Sequence, residues 1–94
     1  MPTWKTKKIK TLGSALARIH DEQDMLALLR DICTIEELKE IANRLFAAQL
    51  LEEGYTYRDV AKKTGMSTTT VTRIAHWLQH GEGGYGVALK KISF

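Results

Sequence analysis

The residues best suited to polar recognition form a run of short hydroxyl side chains in the C-terminal half of the chain. The sequence TTTVTR occupies positions 68–73. Short side chains let a helix approach a partner closely, and they offer hydroxyls to base edges or phosphates and methyl groups to thymine. Three consecutive threonines lower helix propensity, and a helix that merely faced solvent would gain nothing from them. We therefore interpret this face as a DNA-reading surface. Its candidate contacts are Ser67, Thr68, Thr69, Thr70, Thr72 and Arg73.

Basic side chains are concentrated on either side of an acidic middle segment. Residues 1–10 hold four lysines and no acid, and residues 57–80 hold four basic residues against one acid, for net charges of +4 and +3. Residues 21–53 hold nine acids against three bases, a net charge of −6. Because cations attract phosphate and acids repel it, the basic blocks favour a nucleic-acid backbone. The candidate phosphate contacts of the second block are Arg58, Lys62 and Lys63.

No group of side chains in the sequence suggests catalysis or a metal cofactor. His76 and His80 would share one helix face, but a histidine pair without a cysteine or carboxylate at ligand spacing more often packs or caps near a helix end. No serine or cysteine lies near a histidine in a nucleophile motif. We therefore expect a protein that is not an enzyme and that holds no metal.

Two short helices would position the hydroxyl face. Thr56 and Ser67 are N-cap residue types, suited to accept from the backbone N–H three residues on. Gly65 lies between them, where its access to positive φ would end the first helix. Ala61 leaves room for the second helix to cross the first. This pattern is typical of a helix-turn-helix at about residues 56–78. The apolar residues spaced to meet between its helices are Val60, Met66, Val71 and Ile74.

Helical signals also account for the chain before this motif, and no segment alternates like a strand. Apolar residues recur at helical spacing over residues 12–20, and Asp21 offers the N-cap of a second helix. Thr34 and Glu37 form a capping box, and the long helix that follows would end at Gly54. The sequence therefore predicts an all-α fold.

The two ends of the chain are predicted to be less regular. Residues 1–11 are polar, basic and without periodicity, so we interpret them as a mobile arm before one helical domain over residues 12–94. Residues 81–86 contain four glycines. No strand precedes this run and no Lys-Ser/Thr follows it, so a nucleotide site is not expected. We predict a flexible link to a short last helix over residues 87–92.

Length and composition indicate one small domain that pairs with a second copy. A chain of 94 residues buries a modest fraction of its surface alone. The apolar face over residues 38–51 is wider than a one-sided helix needs, so we predict a core shared in a dimer. Cys33 is the single cysteine, which fits a reducing cytoplasm. No apolar run approaches the roughly 20 residues of a membrane span, and no signal peptide is recognisable, so we expect a cytoplasmic protein with no membrane partner.

The segment from about Leu26 to Leu78 resembles the Trp repressor family, and within it the YerC/YecD-like branch of small bacterial proteins. The shared motifs are TIEEL at 34–38, LLEEG at 50–54, YRDVAKKTGMSTTTVTRI at 57–74 and the tail GGYGVAL at 83–89. The resemblance implies an intertwined, all-helical homodimer. Its two reader helices would address successive major grooves of a palindromic operator about one turn (~34 Å) apart. It also implies a transcriptional repressor of a metabolic operon, for example one for an amino acid.

In tryptophan-binding members of this family, an amino acid lies between the long central helix and the reader. Two arginines there suit a carboxylate. The sequence departs from the family pattern at Ile74, where tryptophan binders have glycine, and at Trp77, where they have a small hydroxyl residue. We expect both side chains to fill much of the slot, so a smaller amino-acid co-repressor, or no ligand, is expected instead of tryptophan. The acids of the central helix or a DNA phosphate could equally satisfy the arginines. The polar residues that the resemblance places at the pocket are Thr34, Arg44, Thr70 and Arg73.

Two functions are consistent with these observations. The first is a dimeric, sequence-specific transcriptional regulator. The second is a non-enzymatic dimerisation or protein-interaction module on a helix-turn-helix scaffold. A cationic rim beside short hydroxyls favours the first, since contact with a protein would require neither.

Overall fold

The computed structural model describes residues 3–92, and within that range the secondary structure is entirely helical. The predicted all-α fold is confirmed. The chain divides into two units, the first ending at Leu38 and the second beginning at Lys39, inside the third helix. The helices are α1 Lys7–Arg18, α2 Glu22–Ile32, α3 Ile35–Glu52, α4 Tyr57–Thr64, α5 Thr68–His80 and α6 Gly84–Lys91.

The first unit consists mainly of two capped helices that bury no side chain. Thr6 Oγ1 accepts from the Ile9 backbone N–H at 3.2 Å, and Asp21 Oδ1 accepts from the Gln23 N–H at 3.1 Å, which confirms the predicted Asp21 cap. No residue of α1 or α2 is buried. The large apolar side chains of both helices are therefore exposed or only half-buried in the single chain.

The prediction of a mobile arm through residue 11 is wrong for residues 7–11, which form the first turns of α1. The lysines there are good helix formers, and Thr6 supplies the N-cap. Their charge masked a helical apolar spacing that begins at Ile9 and continues through Leu12 and Leu16. Residues 1 and 2 of the predicted arm lie outside the described residues, as does the end of the predicted domain at 93 and 94.

The capping box at the start of α3 is confirmed. The Thr34 backbone N–H donates to Glu37 Oε1 at 2.8 Å, and the Glu37 N–H donates to Thr34 Oγ1 at 3.1 Å. The Thr34 backbone N–H, and to a lesser extent the Thr34 side chain, hold the pKa of the Glu37 carboxyl group below its ordinary value. At the other end of the helix, Gly54 adopts φ +94°, so the predicted stop is also confirmed.

The core of the second unit joins the C-terminal half of α3 to α4 and α5. Ala47 and Ala48 are fully buried, and because their side chains are single methyl groups the two following helices can approach the α3 backbone. Burial of apolar surface is the main stabilising contribution here. The buried cluster consists of Ala47, Ala48, Leu50, Val60, Val71 and Ile74.

The last helix begins earlier than the sequence predicts. α6 starts at Gly84, inside the glycine run, with Gly83 as N-cap at φ +83°. Tyr85 and Leu89 are partly buried against the core cluster. This packing outweighs the poor helix propensity of the glycines. The interpretation of residues 81–86 as a flexible link is therefore wrong from Gly84 onward.

Candidate nucleic-acid interface and adjoining cavity

Helices α4 and α5 form the predicted helix-turn-helix, with each local signal in place. Thr56 Oγ1 accepts from the Asp59 N–H at 3.1 Å, and Ser67 Oγ accepts from the Thr70 N–H at 3.1 Å. Gly65 is left-handed at φ +74°. Its N–H donates to the Ala61 carbonyl at 2.9 Å, which closes α4. The turn is therefore fixed by backbone geometry that only the expected residue types adopt easily.

The apolar residues predicted to meet between the two helices do so. Val60 and Val71 are fully buried, Ile74 is 5% exposed, and Met66 packs against them from the turn. These contacts hold α5 across α4. As a result, the opposite face of α5 is available to solvent.

The predicted reading face of α5 is exposed at Thr68, Thr69, Thr72 and Arg73, whereas Thr70 is half-buried. Thr72 Oγ1 donates to the Thr68 carbonyl at 2.9 Å, so its proton is committed to the helix. Thr70 Oγ1 lies 3.0 Å from Ser67 Oγ.

The hydroxyls of Thr68 and Thr69 remain uncommitted. Neither makes a hydrogen bond to another described residue. These two side chains stand in the first turn of α5 and can both donate and accept. Sequence reasoning treated the threonines as equivalent. The structure separates two free hydroxyls from two that are engaged.

The three predicted phosphate contacts lie on α4 and are all exposed. Arg58 is in the first turn of α4, and Lys62 and Lys63 are in its last turn, next to the turn that leads to α5. Lys63 Nζ sits 5.3 Å from the centroid of the Tyr55 ring, a cation–π distance. Three exposed cations therefore lie on α4, the helix that contacts α5.

A cavity of about 790 Å³ lies beside α5 in the second unit. Glu40 and Arg44 of α3 contribute to it, with Arg44 Nη2 3.9 Å from Glu40 Oε1. Thr34 is not among the lining residues; it caps the start of α3. The other five predicted pocket residues do line it: Arg44, Thr70, Arg73, Ile74 and Trp77.

Ile74 and Trp77, which the sequence predicts to fill much of the slot, both line this cavity. Ile74 is 5% exposed because it belongs to the core, and Trp77 is 54% exposed at the cavity wall. The remaining volume lies within the 300–1,000 Å³ typical of small-molecule sites.

Sequence reasoning missed the contribution of the C-terminal segment to this cavity. Gly81, Glu82, Gly84 and Tyr85 also line it. A Cβ at Gly81 would collide with the Trp77 carbonyl oxygen and come within 3.0 Å of Trp77 Cε3. The glycine there allows the chain to turn tightly against Trp77. The sequence signal for this contribution was the tail GGYGVAL, but its glycine content led to the prediction of a flexible link.

Comparison with known proteins agrees with this arrangement. The family model described as Trp repressor protein matches residues 7–93. The uncharacterized protein YerC of Bacillus subtilis (strain 168) is 33% identical over 86 residues, which is 92% of this chain and 83% of YerC. The chain belongs to the Trp repressor family. Within it, the identity to YerC places the chain in the YerC-like branch.

Two crystal structures of Trp repressor-like proteins have the same fold. A TrpR-like protein from Eubacterium eligens superimposes with a TM-score of 0.84 at 33% identity, covering 93% of this chain and 90% of that one. A candidate Trp repressor from Staphylococcus aureus gives a TM-score of 0.83 at 26% identity, with coverages of 93% and 87%.

Membership of the Trp repressor family identifies the broad class of the chain. The family consists of regulatory, non-enzymatic proteins that bind DNA through a helix-turn-helix. The chain is therefore a member of a family of helix-turn-helix DNA-binding regulators. Among the described residues, no helix is both long and apolar enough to cross a bilayer.

Proposed function

We propose that the protein is a homodimeric, sequence-specific transcriptional repressor that reads a palindromic operator through α5. The observation that carries this proposal is the pair of uncommitted hydroxyls on Thr68 and Thr69, at the exposed start of α5. In helix-turn-helix proteins, the N-terminal residues of the second helix contact base edges in the major groove. The exposed cations of α4, on the helix that contacts α5, would position this face on phosphates.

Two sets of observations support a dimer. The first unit buries no side chain of α1 or α2, although both helices carry large apolar residues. On α3, Ile35 is 45% and Ile41 is 49% exposed. A second copy would cover this surface, and pairing would supply the two reader helices that a two-fold operator requires. The exposed apolar residues of α1 and α2 are Ile9, Leu12, Leu26 and Ile32.

Selection of bound fragments from randomised duplex DNA tests the proposal. We expect the wild-type protein to enrich a sequence with two-fold symmetry, whose half-sites are about one helical turn apart. The Thr68→Ala/Thr69→Ala double variant should still bind DNA fragments, but the bound fragments should share no common sequence. Retention without enrichment by the wild type would contradict sequence-specific reading. Absence of retention would favour the protein-interaction module instead.

The cavity beside α5 supports a second element of the proposal, a carboxylate-bearing co-repressor of amino-acid size. Arg44 and Arg73 both line the cavity, and two guanidinium groups suit a carboxylate. The Glu40 contact to Arg44 is long and solvent-exposed, so it leaves the guanidinium largely available. A bound ligand would join α3 to α5 and thereby bias the position of the reader.

Calorimetric titration of the dimer with each amino acid in turn, tryptophan included, tests this co-repressor. Arg44→Ala should abolish any binding, and Lys39→Ala, an exposed cation on the same helix, is the matched control. Both variants should remain folded, since neither residue is buried. If no amino acid binds and none changes the operator affinity, the arginines bind DNA phosphate or pair with Glu40 instead, and the repressor is constitutive.

A further inference from the structure

One hydrogen bond ties the helix-turn-helix to α3. Asn43 Nδ2 donates to the Thr64 carbonyl oxygen at 2.8 Å, and both residues are half-buried. Every other side-chain hydrogen bond between residues 3 and 92 joins positions at most four apart. The Asn43–Thr64 bond is thus the one directional side-chain contact between α3 and the turn of the reader within the described residues.

The Thr64 carbonyl needs a donor from outside α4. Thr64 is the last residue of α4, and the last carbonyls of a helix lack intrahelical partners. No backbone N–H of the described residues donates to this carbonyl, and the Met66 N–H in the turn donates instead to Thr64 Oγ1 at 3.3 Å. Asn43 therefore satisfies an acceptor that the turn itself cannot satisfy.

The remaining contacts between α3 and the reader are apolar. Asn43 lies one turn before Ala47, on the α3 face that meets Val60 and Val71. Apolar contacts are non-directional and, with methyl groups as small as those of Ala47 and Ala48, leave the helices free to slide or roll by small amounts. A hydrogen bond of fixed length and angle does not allow this freedom.

We propose that Asn43 is a positioning residue that sets the angle of the helix-turn-helix on α3, and thereby the angle at which α5 meets DNA. The inference about the angle at which α5 meets DNA rests on the proposed function, because it assumes that α5 reads DNA. The inference about the angle of the helix-turn-helix on α3 does not depend on that function. Loss of the bond leaves the fold intact, since the apolar cluster remains, but allows the α4–α5 pair to adopt a range of orientations.

Orientation can be measured without DNA, from residual dipolar couplings of the wild-type dimer and its variants. Asn43→Ala removes the donor. Asn43→Asp keeps the shape but, when ionised, presents a second acceptor to the Thr64 carbonyl. Gln49→Ala is the matched control, because Gln49 is a half-buried amide on the same helix whose side chain donates to Glu53 of that helix.

We expect the couplings of α4 and α5 to change relative to those of residues 39–52 in both Asn43 variants but not in Gln49→Ala. In Asn43→Asp the change should diminish as the pH falls and the carboxyl gains a proton that it can donate. A merely space-filling asparagine would show no such pH dependence. Unchanged couplings in Asn43→Ala would overturn the inference.

The DNA consequence is measured as the ratio of Kd values for a scrambled and a selected duplex. Asn43→Ala should lower this ratio about tenfold, while the Kd for the scrambled duplex stays constant. A tenfold change lies within the range by which base contacts discriminate between sequences. A changed orientation with an unchanged ratio would overturn the part that concerns reading. If the wild type shows no preference between the duplexes, the proposed function fails, and the couplings alone decide whether Asn43 positions the helix pair.

Discussion

At the scale of single residues, the signals that could be predicted are those that depend on near neighbours in sequence. The caps at Thr56 and Ser67 and the left-handed Gly65 were predictable because the groups involved lie within four positions of one another. The difference between Thr72 and Thr69 was not predicted. It depends on which rotamer returns a hydroxyl to the carbonyl four residues earlier, and a sequence does not specify this.

The proposed function assigns base reading to the hydroxyls of α5 and positioning on phosphates to the cations of α4. Thr69→Ala removes an uncommitted hydroxyl, so we expect a loss of about 1–3 kcal/mol at the preferred sequence and a change in which sequences bind. Lys63→Ala removes a proposed phosphate contact, so it should weaken binding to all sequences alike and lower the salt dependence by about one unit of slope. Fluorescence anisotropy with several duplexes measures both effects. Uniform losses in both variants would contradict the division of roles.

At the scale of elements, helix starts and stops were predictable where a local cap exists, and packing decided the rest. The capping box of α3 is local, and it was predicted correctly. The start of α6 at Gly84 was not, because the helix there depends on Tyr85 and Leu89 packing against a core that is distant in sequence. The cavity wall formed by Gly81 and Glu82 was missed for the same reason.

The capping box predicts a pH dependence of stability. The pKa of Glu37 is lowered by its hydrogen bonds to Thr34, so ionised Glu37 stabilises the fold. This contribution is complete above the ordinary glutamate pKa and is lost as the pH falls through the lowered pKa. Denaturant unfolding of the wild type and Glu37→Gln across this range should give a stability difference at neutral pH that shrinks in acid. A difference that is constant with pH would show that the carboxylate has no part in the cap.

Two glycines of the C-terminal segment, Gly81 and Gly86, should respond oppositely to alanine. Gly81→Ala places a Cβ against the Trp77 carbonyl, so we expect destabilisation of about 1–3 kcal/mol. Gly86→Ala lies inside α6 with no atom within 4 Å of the added Cβ, so it should stabilise by about 0.5–1 kcal/mol. Thermal unfolding followed by tryptophan fluorescence compares the two variants. Both are made in a Trp4→Phe background, so that Trp77 is the only tryptophan. A stabilising Gly81→Ala would contradict the close approach.

At the scale of the whole molecule, the sequence predicted the all-α class and the helix-turn-helix, but not the division of the chain into two units. Amphipathic spacing in α2 and α3 indicated apolar faces, yet a single sequence does not state which surface covers them. In the structure, α1 and α2 bury nothing. The apolar surface that this leaves is the physical reason to expect a second copy.

The proposed dimer can be tested at this surface. Leu12 is 44% exposed on α1, and a charge there would have to be buried without a partner in a shared core. We therefore expect Leu12→Glu to sediment as a monomer or to unfold at micromolar concentration, whereas the wild type sediments as a dimer. Lys10→Glu, the same final residue on the same helix, is the control and should remain dimeric. A folded wild-type monomer at micromolar concentration would contradict the dimer.

The central claim is that this protein recognises a DNA sequence and not only a polyanion. The most direct measurement is a salt titration of wild-type binding to a selected duplex and to a scrambled duplex of the same length. Phosphate contacts release counterions and weaken with salt for both duplexes, whereas base contacts to Thr68 and Thr69 are far less affected. We predict that affinity for the scrambled duplex falls more steeply, so the preference for the selected duplex grows as salt rises. Equal affinities and equal slopes for the two duplexes at every salt concentration would contradict the account.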